Sequence, residues 1–255
     1  MLLNLGLVSN RQIPIYKKES ETGKKAPRQA EYASPGSVSY FAVKYAFGKD
    51  DISIWLVFAT IVNILTVMLL SSVAKKEGMS FKELINYRKD QIRIKALPLV
   101  IGFAAVGTAG MYLAGLVCYG TVMPEVSVKL MAPIPPFFAI INLVLLPVTT
   151  ALAEDGLYLG AGAGRIDNRY AAVIAPAFFY ALQHCFIPAI FDGRYMVYRF
   201  LSFLPLTVLF CLYYRKKKDP VPVMISHVLL DLATAGMILY TSVVPGAYEQ
   251  MCSVV

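Results

Sequence analysis

Apolar runs long enough to cross a bilayer dominate this chain and leave few folds open to it. They fall at about 52–74, 97–119, 134–160, 170–190, 196–213 and 221–244, each near the ~20 residues that span a hydrocarbon core. Lipid offers no partner to open backbone, so such runs must be helices. The expected fold is therefore all-α: a polytopic helical membrane protein with six to eight transmembrane helices. The segment Ser37–Phe47 is too short for a standard span and reads as an interfacial helix or an extra crossing. In the fifth run, Arg199 sits near the start and is expected to snorkel to the interface. Pro135, Pro136 and Pro147 are expected to bend or open the third run, and Pro176 the fourth. Composition agrees: 57% of residues are hydrophobic and only 16% charged, against ~25% charged in a soluble domain.

Residues 1–50 read as a polar leader carrying the possible interfacial helix, and 51–255 as the transmembrane domain. The start of the chain has no basic n-region and does not read as a signal peptide. The net charge of +8 comes from short basic clusters between apolar runs. That pattern points to membrane topology and anionic lipid rather than nucleic acid. The loop after the first run, the loop with Arg165 and Arg169, and the "RKKK" at 215–218 are expected on one side, the cytoplasmic one. The expected location is the plasma membrane. The four cysteines show no CxxC spacing and read as helix packing residues.

Ionisable residues within the runs are few: Glu154, Asp155, His184, His227 and Asp231. The two histidines are the only ones in the chain. A central acid costs roughly 2.5–3.5 kcal/mol on insertion scales, so such groups persist where they have partners or a function. His227 and Asp231 are i and i+4 and share a helix face, as do Tyr180 and His184. Glu154 and Asp155, as neighbours on an α-helix, point about 100° apart; one is expected to act while the other orients something. Counting ~1.5 Å per residue puts the groups close enough in depth to form one cluster, expected in the cytoplasmic half of the membrane. Gly156, Gly160 and Gly164 form overlapping GxxxG steps that let another helix approach beside Glu154.

Three stretches carry a resemblance: Glu154-Asp155-Gly156-Leu157-Tyr158-Leu159, then Tyr180-Ala181-Leu182-Gln183-His184, then His227-Val228-Leu229-Leu230-Asp231. In order and spacing they resemble the Glu-Glu-x-x-x-Arg, Phe-x-x-x-His and His-x-x-x-Asn/Asp motifs of the CAAX-processing and bacteriocin-processing (CPBP, or Abi) family of intramembrane proteases, over about 134–241. Asp155 stands for the second Glu, Leu159 for the Arg and Tyr180 for the Phe. The resemblance implies an endopeptidase acting on a membrane-associated or lipidated peptide or protein. Eukaryotic members remove the C-terminal tripeptide after a prenylated cysteine, and bacterial members include bacteriocin-immunity proteins. Carried over, Glu154 is the general base that activates water. His184, His227 and Asp231 either bind a metal or stabilise the oxyanion, with Asp155 beside them.

Two His and a carboxylate suit Zn²⁺ or another divalent metal with water as a further ligand; a metal-free mechanism, with imidazoles serving the oxyanion, stays open. Membrane lipids and a peptide or lipidated protein are the expected partners. A non-catalytic or immunity-type membrane protein and an ion or proton transporter are the alternatives.

Overall fold

The computed structural model describes residues 55–188 and 190–255. The polar leader, the Ser37–Phe47 segment and the start of the first run lie outside the described residues. Among those described there are helices and no strand.

The apolar runs become helices α1 (Trp55–Lys76), α3 (Leu97–Tyr119), α5 (Pro136–Thr150), α6 (Ala171–Gln183), α7 (Gly193–Lys217) and α8 (Val221–Val243). Short helices α2 (Phe81–Leu84), α4 (Glu125–Lys129) and α9 (Ala247–Cys252) join or follow them. Among the described residues five helices are long and apolar enough to span a membrane, counting α5 together with its continuation to Ala163. The stretch Ala171–Phe186 is apolar but shorter. It stops early because Ile187 precedes Pro188 and is extended, with φ −128° and ψ 105°, as a residue before proline prefers. The stop leaves His184 at the tip of a short helix, inside the bundle.

Pro135 and Pro136 do not bend the third run; they start it, as N-cap and first helical residue, where a missing N–H costs nothing. Pro147 lies inside α5, and just after it the helix changes register. Ala151–Ala163 is π-helical; at its end Gly164 N–H still donates to Leu159 C=O, five residues back, at 2.7 Å. Such wide turns are rare and cluster at functional sites. Here they carry Glu154 and Asp155.

The helices pack α3 along α7, α5 along α8, and α6 along α7, with α1 against α5 and the π-helix. The main core joins Phe103, Leu159, Tyr180, Phe210, Tyr214 and Val223. Leu159 is fully enclosed there, so the place where the family motif has Arg is an apolar one. Gly156 and Gly160 admit a close neighbour, as expected. A Cβ at Gly160 would come within 3.1 Å of the Leu84 carbonyl, and one at Gly156 within 3.0 Å of the Phe81 ring. Exposed Ile61, Leu65, Met68, Leu113 and Val117 form an outer surface suited to lipid.

The three basic loops meet at one end of the bundle. Arg165 ion-pairs with Glu77, Arg215 donates to Ala163 O at 3.2 Å, and Lys218 Nζ to Gly164 O at 3.2 Å.

Candidate active site

Four elements bring the ionisable groups together. The π-helix supplies Glu154 and Asp155, the tip of α6 supplies His184, α8 supplies His227 and Asp231, and α7 supplies Arg199. Glu154 Oε2 lies 3.7 Å from His184 Nε2 and 3.6 Å from His227 Nε2. These separations exceed a direct hydrogen bond but let one small molecule touch all three. Glu154, His184 and His227 are all buried.

The ring orientations follow from the hydrogen bonds on their far sides. His184 Nδ1 is 2.8 Å from Tyr180 O. A carbonyl only accepts, so Nδ1 carries a proton and the ring turns Nε2 toward Glu154. The Tyr180 hydroxyl donates to Asp155 Oδ1 at 2.9 Å. Having one proton, it must accept from His227 Nδ1, at 3.0 Å. Asp155 Oδ2 approaches the same Nδ1 at 3.5 Å. Asp155 is 1% exposed, and with Tyr180 it fixes the ring of His227. Glu154 and Asp155 thus reach opposite nitrogens of one imidazole, the first toward a cavity and the second away from it. The two neighbouring acids diverge as expected, here on a π-helix rather than an α-helix.

Asp231 lies 3.7 Å from His227 Nε2 and is only partly buried. Of the three residues the sequence offers to a metal, His227 and Asp231 come together, while His184 pairs with Glu154 instead. Among the described residues no three His, Cys, Asp or Glu side chains are gathered as ion ligands are. The expected His184–His227–Asp231 set therefore does not close in this structure. Glu154 Oε2, Asp155 Oδ2 and Asp231 Oδ2 are buried without a hydrogen-bond donor among the described residues.

A cavity of about 130 Å³ leads from this cluster. Glu154, His184, Arg199 and Asp231 line its inner part, and Tyr112, Val122 and Met123, all exposed, line the rim. The rim residues belong to the end of the bundle opposite the basic loops.

Arg199 corrects the sequence reading. It does not snorkel to the surface; it is 8% exposed and lines the cavity. The reason is that α7 begins at Gly193, capped by the Asp192 side chain on Tyr195 N–H at 2.7 Å. Arg199 therefore sits about 9 Å inside the helix. Tyr180 departs from the motif, and its hydroxyl forms a bridge that the sequence alone does not reveal. Phe203 also was not foreseen; its ring stacks on His184 at 3.6 Å.

The bundle is that of a polytopic membrane protein, with Glu154, His184 and His227 buried together inside it. Residues 136–233 match the family described as type II CAAX prenyl endopeptidase Rce1-like. The match covers all three motifs, so the resemblance to the CAAX-processing protease family is borne out, and with it a protease role in a membrane in general terms. Comparisons with curated proteins and with solved structures give no match.

Proposed function

We propose that the chain is an intramembrane endopeptidase that hydrolyses a peptide bond near the C-terminus of a lipidated peptide or protein, with Glu154 as general base. The observation that carries this reading is the approach of Glu154 Oε2 to both imidazole Nε2 atoms, from separate helices, at the inner end of a cavity.

In the proposed reaction a water sits between Glu154 and His184 Nε2. Glu154 takes one proton from it, and His184 accepts a hydrogen bond from the other. The water oxygen attacks the scissile carbonyl and a C–O bond forms. His227, held by Tyr180 and Asp155, donates from Nε2–H to the developing oxyanion. The C–N bond then breaks, and the proton on Glu154 passes to the leaving amine. Asp231 balances the charge on His227.

Acids gathered around two imidazoles suit hydrolysis, whereas a proton relay strings them across the whole thickness. The test uses purified protein in nanodiscs and peptides ending in Cys-aliphatic-aliphatic-X, prenylated or not, with mass spectrometry of the products. Loss of a C-terminal tripeptide, abolished in Glu154→Gln, is the expected result. The same assay with a chelator, then with Zn²⁺ restored, measures the metal requirement. Absence of cleavage across the panel, or cleavage at the wild-type rate by Glu154→Gln, would overturn the reading.

A further inference from the structure

We infer that Arg199 receives the free C-terminal carboxylate of the peptide being cut and so sets the position of the scissile bond. This rests on the proteolytic reading above and adds a determinant of specificity to it.

Arg199 is held rigidly and has donors to spare. Nε donates to His184 O at 3.2 Å and Nη2 to Ile187 O at 3.1 Å. The guanidinium lies 4.8 Å from the centroid of Phe203, the ring that stacks on His184. A guanidinium has five N–H donors, so these two bonds leave three. Among the described residues no carboxylate ion-pairs with it: the salt bridges of Glu154 and Asp231 are all to histidines. A buried cation without a direct anionic partner is costly, and a planar fork of donors is the natural partner of a carboxylate.

The cavity adds chemistry and scale. Among the described residues Arg199 is the sole Lys or Arg lining it, beside Glu154 and Asp231. An entering peptide terminus therefore meets repulsion at the acids and attraction at one place. A tripeptide leaving group places its carboxylate roughly 10 Å from the scissile carbonyl, at ~3.3 Å per extended residue. Arg199 stands one stacked ring beyond His184: its guanidinium is 4.8 Å from the Phe203 centroid, and that centroid is 3.6 Å from the His184 ring. The competing role is structural: Arg199 ties off carbonyls at the end of α6 and merely holds His184 in place.

The experiment measures binding rather than turnover, with full-length Glu154→Gln protein in nanodiscs. The probes are two fluorescein-labelled, farnesylated peptides ending in Cys-aliphatic-aliphatic-X, one with a free carboxylate and one with a C-terminal amide. With Arg199 present, the acid should bind at least about ten-fold tighter, the range of a charge-assisted hydrogen-bond pair. Adding Arg199→Gln should abolish this ratio while leaving amide affinity unchanged, and Arg199→Lys should retain part of it. No acid preference with Arg199 in place overturns the inference. So does a preference that survives in Arg199→Gln, or equal loss of acid and amide binding, which marks a structural role. If Arg199→Gln does not fold, Arg199→Lys decides: an undiminished acid-to-amide ratio overturns the inference, because the bidentate fork is gone. Cleavage by the wild-type protein is scored separately, so failure of the proteolytic reading leaves a distinct signature.

Discussion

The Tyr180 hydroxyl offers a sharp test of how the site is held, because Tyr180→Phe removes one oxygen and restores the family's own residue. That oxygen bridges Asp155 Oδ1 at 2.9 Å and His227 Nδ1 at 3.0 Å, and Tyr180 is 2% exposed. Its loss leaves a buried carboxylate oxygen and a buried ring N–H without their partner. A hydrogen bond to a charged group contributes about 1.5–3 kcal/mol and an ordinary one about 1 kcal/mol. The variant should therefore lose about 2–4 kcal/mol of stability. For a chain of this size that is a fall of roughly 5–15 °C in Tm. The assay is thermal unfolding in detergent, followed by thiol-reactive dye: Cys185 and Cys211 are buried and label on unfolding. Freed from its bridge, His227 can rotate, and misplacement of a reacting group by ~1 Å costs about a hundred-fold in rate. Asp155→Asn should do similar harm, and the double variant should be less than additive by at least ~0.5 kcal/mol, as expected of partners in one network. Unchanged Tm and rate in Tyr180→Phe, or strict additivity with Asp155→Asn, would refute the bridge.

Other expectations follow from neighbouring features. His227→Ala should lower the cleavage rate by about 10²–10³-fold, the range for losing an oxyanion donor, with binding of the farnesylated peptide retained by fluorescence anisotropy. Leu159→Arg, which rebuilds the family motif on paper, should not raise activity. It buries a cation among Phe210, Tyr214 and Val223 and should cost about 3 kcal/mol or more, read as loss of folded protein on size exclusion. Asn142→Leu breaks the 2.6 Å bond from Thr60 and should cost about 0.6–1.7 kcal/mol, the scale for hydrogen bonds between helices in lipid, measured by the same dye-labelling melt. Gly160→Leu should push α2 away from the π-helix, since even a Cβ there crowds the Leu84 carbonyl; proteolysis in the 77–95 loop should accelerate.

The spans were legible because hydrocarbon demands long apolar runs, and the convergence of Glu154 with both histidines was legible because ionisable groups in such runs are rare. The π-helix was not. Reading by period assumes 3.6 residues per turn, and the sequence 151–163 carries no mark that its carbonyls pair five residues on. Arg199 was misplaced for a different reason: the helix was bounded by its apolar run rather than by its cap. A signal was present, since Asp192 is a strong N-cap type, and starting the helix there carries Arg199 inward. The role of the Tyr180 hydroxyl depends on partners 25 and 47 residues away, which no local pattern reveals.

Arg215 and Lys218 grip the carbonyls of Ala163 and Gly164 at the point where the widened helix ends. The same cations belong to the cluster that biases how a nascent chain threads into the bilayer. The residues that bias insertion thus also hold the end of the π-helix. Charge swaps designed to invert the protein would also unfasten the terminus of the segment bearing Glu154, so a flipped molecule should emerge not merely upside down but misshapen at its reactive centre.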